Sequence, residues 1–235
     1  MSPIFEAVPS EFDASACPPG EREAVLLRRF DALHPLQTLV LLSAEDPTAL
    51  LQRLQAERAG LFEWASLEAG PRWRIEIARR EPPAGDPREI SDAIEWDHDR
   101  LDRLESTAFD AWGAGDAIAA ETAFRMFAHG LRRHIAVEEA LLFPEFERRT
   151  GLAPKDGPTG TLRDEHREAL ALVAAIELAI QDGAVPAPLV RSHLQDVLRV
   201  HHRREEELLY PVTDSSLTRE QRDDLVRRVQ RFPPV

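Results

Sequence analysis

Cysteine is almost missing from this chain: Cys17 is the only one in 235 residues. That excludes an intrachain disulfide and a zinc site built mainly on thiolates. Positive charge is also short, with 29 Lys+Arg against 42 Asp+Glu and a net charge of −13. Nucleic acids and anionic membranes both require clustered positive charge, so neither is expected as a partner. Lysine is rarer still, Lys155 standing alone, which reads as codon bias rather than as a functional signal. No long hydrophobic run exists; the most apolar stretch, Ala169 to Ile180, is broken by Glu177 and is shorter than the ~18 residues of a membrane span. The opening MSPIFEAVPSEFD lacks a basic segment followed by an apolar one, so no secretory signal is expected and the cytoplasm is the expected location.

What is present suits a folded protein: 43% apolar and 30% charged residues can build a core beneath a solvated surface. The pattern changes character around residues 80–89, where three prolines and a glycine lie among charges. Before that point, segments of different period alternate. Pro18 to Leu33 has helical spacing, Gln37 to Leu42 reads as a strand, and Pro47 to Ala59 reads as a helix capped by Asp46 and closed by Gly60. Leu61 to Leu67 and Trp73 to Ala78 read as two strands joined by a turn. The expectation is a small α/β sandwich over residues 1–82, a linker at 83–89, and a second domain over 90–235. That domain is predicted to be an all-α up-down four-helix bundle with an extra C-terminal helix. Its long helices are expected at Ile90 to Trp112, Ala117 to Arg149, Leu162 to Gln181 and Pro188 to Val212, with the short one near Thr218 to Arg231.

The helical half contains a repeat. His134-Ile-Ala-Val-Glu138-Glu-Ala-Leu-Leu-Phe-Pro144 matches His201-His-Arg-Arg-Glu205-Glu-Glu-Leu-Leu-Tyr-Pro211 at a constant offset of 67 residues. Asp97-His98 matches Glu165-His166 at an offset of 68. A helical hairpin has been used twice.

The spacing has chemical content, because residues four apart on a helix share a face. His134 with Glu138, and His201 with Glu205, each aim an imidazole and a carboxylate at one point. That point lies on the apolar seam. Phe127, Leu131, His134, Glu138 and Leu141 follow a buried stripe, as do Val190, Leu194, Val197, His201, Glu205 and Leu208. On the other two helices the seams are Ile94, His98, Leu101, Ala108 and Leu162, His166, Ala169, Val173, Ile176. Each histidine lies roughly 17 residues from the turn of its hairpin, about 25 Å at 1.5 Å per residue, so all four should meet at one level. A single core histidine is usually a packing residue; six polar groups at matched heights on four seams are not explained that way.

Two buried carboxylates among four imidazoles cost several kcal/mol unless a cation offsets their desolvation. Four nitrogens and two carboxylates exceed one tetrahedral zinc and suit two divalent ions bridged by the glutamates. Nitrogen and oxygen ligation with open positions favours iron, with manganese or zinc as substitutes. Asp97, Glu139, Glu165 and Glu206 adjoin these residues; they read as a solvated face, a supporting role being the alternative. His202 lies off the seam and reads as bland.

On these motifs, over about residues 90–213, the chain resembles the hemerythrin-like family of HHE cation-binding domains. The resemblance implies that His98, His134, Glu138, His166, His201 and Glu205 bind a non-heme di-iron centre. It also implies a small diatomic ligand, O2 or NO. Oxygen-carrying members add a histidine four residues after the third-helix histidine; here that position is Leu170. Sensing of O2 or NO, iron handling, or repair of iron centres is therefore favoured over oxygen carriage. Oxidase or peroxide chemistry at the same centre is the enzymatic alternative.

Residues 12–79 resemble a family of unknown function related to the TusA/SirA sulfur-carrier fold, on Asp13, Pro18-Pro19, the segment Leu39 to Pro47, and Leu54 to Arg58. Sulfur relay through Cys17-Pro18 is the alternative this raises, although the cysteine falls about two positions early, and a protein partner of this domain is a further expectation.

Overall fold

The computed structural model describes residues 10–83, 85–152, 154–155 and 157–234. They form two compact units, one carrying a sheet and the other spanning Gly85–Val229; the described residues from Gln230 on group with the sheet.

The first unit is a four-stranded mixed sheet with two helices. Strands β1 (Ser10–Asp13), β2 (Thr38–Ser43), β3 (Phe62–Glu68) and β4 (Trp73–Arg79) lie in the order β1-β2-β4-β3. β1 runs parallel to β2 through the crossover helix α1 (Arg22–Asp31), while β2–β4 and β3–β4 are antiparallel. Helix α2 (Thr48–Glu57) connects β2 to β3. Phe12, Leu26, Phe30, Leu39, Leu41, Leu54, Phe62, Ile75 and Ile77 make the core. Phe30 meets the edge of Phe62 at 5.7 Å, the geometry favoured by the ring quadrupoles. β1 departs from the sequence expectation: a four-residue strand that buries only Phe12, it carries no usable period. It also started the first helix too early, since Pro19–Glu21 is a 3-10 turn. Asp46 does accept the backbone N–H of Thr48 (2.9 Å), whereas the helix ends at Glu57 with Arg58 as its C-cap, so Gly60, left-handed at φ 78°, lies in the turn beyond rather than closing it. Cys17 is half-buried against this core, the surroundings of a packing residue.

The second unit is the helical bundle. Helix α3 (Ile90–Ala114) ends at Gly115, which adopts φ 79°, and α4 (Ala117–Val137) begins on Asp116, whose carboxylate accepts the Ala119 N–H at 3.0 Å. A π turn (Glu138–Leu142) leads to α5 (Phe143–Thr150). The second hairpin repeats this design with α6 (Pro158–Gln181), α7 (Pro188–Arg204), a π turn (Glu205–Leu209) and α8 (Tyr210–Ser216); α9 (Arg219–Gln230) follows. The third long helix starts four residues earlier than its periodicity suggested. Gly160 belongs to its first turn, where a Cβ would stand 2.4 Å from the Pro154 carbonyl oxygen.

The π turns are the main departure from the expected continuous helices over 117–149 and 188–212. Proline inside a helix lacks an N–H and presses on the carbonyl four residues back. Pro144 and Pro211 impose this at equivalent places, and the ladder widens just before them: Phe143 N–H reaches Glu138 O, and Tyr210 N–H reaches Glu205 O. Each extra residue rotates the buried face by one position. Leu142 and Leu209 are fully buried, whereas Leu208, assigned to the seam from sequence, is 48% exposed and Leu141 only half-buried.

One buried cap ties the bundle together. Asp214 accepts the N–H groups of Ile90 (2.9 Å) and Ser91 (3.0 Å) and the Ser91 hydroxyl (2.7 Å) at the start of α3. Asp214→Ala leaves these donors unpaired and is expected to destabilise the protein by about 1–3 kcal/mol. Urea denaturation followed by circular dichroism reads the change; an unaltered midpoint would show that the cap contributes nothing.

Candidate metal centre

Four helices bring the six predicted residues to one place. His98 comes from α3, His134 from α4, His166 from α6 and His201 from α7, while Glu138 and Glu205 are the first residues of the two π turns. All six are buried, none more than 3% exposed. The Nε2 atoms pair within each hairpin, His98 with His134 at 3.2 Å and His166 with His201 at 3.1 Å.

The glutamates span the two pairs. Glu138 Oε1 lies 3.3 Å from His134 Nε2, and its Oε2 lies 3.0 Å from His166 Nε2 and 3.8 Å from His201 Nε2. Glu205 Oε2 lies 3.4 Å from His98 Nε2, and its Oε1 lies 3.3 Å from His201 Nε2. Two donor sets result, His98-His134-Glu138-Glu205 and Glu138-His166-His201-Glu205, each with its donor atoms within 4.8 Å of one another. Among the described residues neither oxygen of Glu205 finds a hydrogen-bond partner. An unsatisfied buried carboxylate is costly, and two divalent ions between the imidazole pairs would satisfy both of its oxygens. The donor set fits such a group.

The far side of every ring is held as well. His98 Nδ1 meets Glu206 at 2.7 Å, His134 Nδ1 meets Asp97 at 3.2 Å, His166 Nδ1 meets Glu139 at 2.9 Å and His201 Nδ1 meets Glu165 at 3.2 Å. A carboxylate on Nδ1 fixes the tautomer that leaves Nε2 free as a donor to a metal. The reading of these four acids as a solvated face is thereby corrected. Glu139 and Glu206 are partly exposed, which is why the pattern resembled a surface, yet each reaches inward to a ring. Asp97 is buried and also takes Arg100 Nε at 2.8 Å; Arg100 crosses Gly130, where a Cβ would lie 2.9 Å from its guanidinium. Glu165 is paired with Arg204 in the same way.

Two further residues reach the centre. The Tyr210 hydroxyl donates to Glu138 Oε1 from a fully buried position, and burial followed by the charge of Glu138 pushes the phenol well above its usual range. Its counterpart Phe143 stacks on His166 at 5.4 Å. His202, treated as bland, is buried and stacks on His98 with ring centroids 3.7 Å apart. The sequence signal for both was the mismatch between the two copies of the repeat: Tyr210 against Phe143, His202 against Ile135.

Protonation follows from crowding. Burial pulls His134 down, but Glu138 and Asp97 outweigh it and raise the imidazole to about 9. Burial, then the neighbouring His134, push His98 well below the usual imidazole range. Glu138 resists the upward push of burial because the surrounding imidazoles hold it well below the usual carboxylate range. Glu205 goes the other way, raised by burial and by the charge of Glu138.

A bundle whose hairpins repeat a buried histidine–glutamate pair, with carboxylates behind each ring, defines a helical unit whose donor groups suggest metal binding. Consistent with that class, residues 89–194 match the hemerythrin HHE cation binding domain. Residues 11–79 match the uncharacterized conserved protein family DUF2249. The hemerythrin match stops before His201 and Glu205, so their place in the cluster rests on the structure. No curated protein and no solved structure matches the chain. Among the described residues no helix is long and apolar enough to cross a membrane.

Proposed function

We propose that the helical unit holds a non-heme di-iron centre and uses it to bind, sense or react with O2 or NO, or to handle iron. In this reading His98 and His134 hold one ion, His166 and His201 hold the other, and Glu138 and Glu205 bridge them. The observation that carries it is the bidentate placement of both glutamates, each offering one oxygen to either histidine pair. Bound iron would supply redox change and Lewis acidity at coordination positions left open for a small ligand. The protein's own contribution is placement. Asp97, Glu139, Glu165 and Glu206 orient the rings, Tyr210 holds Glu138 by one oxygen, and the buried Phe143 ring stacks on His166 and shields it from water. Manganese or zinc would suit the same donors. The sheet domain, similar to the TusA/SirA fold in its resemblance, is read as the part that meets a protein partner, in a cytoplasmic setting.

The test is metal analysis with an optical spectrum of wild type and His134→Ala, before and after O2 or NO. Two irons per chain are expected in wild type, with absorption that changes on exposure and is lost in the variant. Wild type without bound iron after anaerobic loading would overturn the proposal, and a spectrum indifferent to both gases would overturn its O2 or NO part and leave iron handling. Oxidase or peroxide chemistry is distinguished by turnover with H2O2, and iron-centre repair by recovery of a damaged cluster enzyme.

A further inference from the structure

The surroundings of the two histidine pairs are not equivalent, and the difference is His202. Its ring is 92% shielded at the side chain, and its Nε2 has no hydrogen-bond partner among the described residues. A buried imidazole nitrogen left unsatisfied costs about 1–3 kcal/mol. Packing alone does not call for it, because the equivalent place in the other hairpin is filled by Ile135, itself buried. The ring lies nearly parallel to His98, at 12°, and its nitrogen falls with those of His98 and His134 in a third group whose donor atoms are all within 4.8 Å. Neighbouring nitrogens on one ion stand about 3 Å apart when each bond is near 2.1 Å. Stacked rings aim their in-plane lone pairs side by side, so His202 has to swing out of its stack on His98 to bring the three together. Behind it, Asp102 Oδ1 stands 4.0 Å from Nδ1. This is a looser version of the carboxylate placed behind each of the other four rings.

We propose that His202 is a third imidazole ligand for the metal ion held by His98 and His134, so that this position has one more nitrogen than its twin. The inference rests on the di-metal reading above. It assigns the twin, between His166 and His201, as the position with the greater room for an exogenous ligand.

The test uses Co2+ alone as a probe, titrated anaerobically into the full chain and followed by its visible absorption. Wild type is expected to bind two Co2+ in two distinguishable steps. His202→Ile, which copies the residue of the other hairpin, is expected to weaken one step by roughly 10–100-fold and to alter half of the absorption, leaving the other step intact. Two steps of unchanged affinity with an unchanged spectrum in His202→Ile would overturn the inference. Failure of wild type to bind two Co2+ would instead overturn the di-metal reading. If the isoleucine variant does not fold by circular dichroism, His202→Gln, polar and smaller than the ring, is read by the same spectrum and must show the same selective loss.

Discussion

Glu138→Ala is expected to take the chain from two bound metal ions to essentially none. The side chain is fully buried and serves both positions, with Oε1 3.3 Å from His134 and Oε2 3.0 Å from His166. Its removal strips one oxygen from each position and one negative charge from between two divalent cations. The remaining carboxylate, Glu205, cannot offset that charge, and an uncompensated buried ion costs several kcal/mol. Glu139→Ala is the instructive contrast. Glu139 is 44% exposed at its side chain and acts only through His166 Nδ1, at 2.9 Å. Loss of such a support is expected to lower affinity by about 10–100-fold while two ions still bind in excess metal. Elemental analysis after desalting, with circular dichroism to confirm folding, separates the two. Retention of two ions by Glu138→Ala would refute the bridging role.

The second large effect is on pH. Without metal, the imidazole of His134, raised to about 9, carries a proton around neutrality, while burial and the charge of Glu138 hold the carboxyl of Glu205 above its ordinary range. The His134 proton must leave before its nitrogen can bind an ion. Apparent affinity for the metal pair is therefore expected to rise by about tenfold per pH unit near pH 7, for the one proton displaced from His134, and to rise less steeply beyond 9. Calorimetry in buffers of different ionisation enthalpy reads the proton release directly. Toward acid, occupancy should fall as the imidazoles protonate; metal content steady down to pH 4 would contradict histidine ligation.

The metal-free protein should behave oppositely. A histidine raised in the fold contributes stability fully below its unfolded value of about 6.5, and this fades as pH climbs through 9. The raised carboxyl of Glu205 has the same sign: its contribution is complete below about 4.5 and is lost as pH rises through its folded value. Apo protein is thus expected to melt at lower temperature at pH 9 than at pH 6.5, while the loaded protein gains affinity over that range.

Much of this centre could be read in one dimension. His134 and Glu138 share a helix face by spacing alone, and the same holds for His201 and Glu205. The equal distance of each histidine from its turn placed all four at one level, and the structure brings their Nε2 atoms within 3.2 Å in each hairpin. Helix periodicity is local, so spacing carries it. The π turns were less legible because the helical pattern continues across them; only Pro144 and Pro211 hinted that the ladder must widen. That widening moved the buried leucine from 208 to 209. Strand β1 was illegible for a simpler reason, its pairing with β2 being a long-range contact with one buried side chain to announce it.

Residue spacing by itself determined the duplicated hairpin, the six inward-facing donors and the change from a small α/β domain to helices. Only the tertiary structure decided what stands behind and beside those donors. Asp97, Glu139, Glu165 and Glu206 each turn toward a ring on a different helix, or in a different turn, from their own. Tyr210 reaches across to Glu138, and His202 leans on His98. Partners along one helix are set by 3.6 residues per turn, whereas partners between helices depend on how the helices are rotated and staggered when packed.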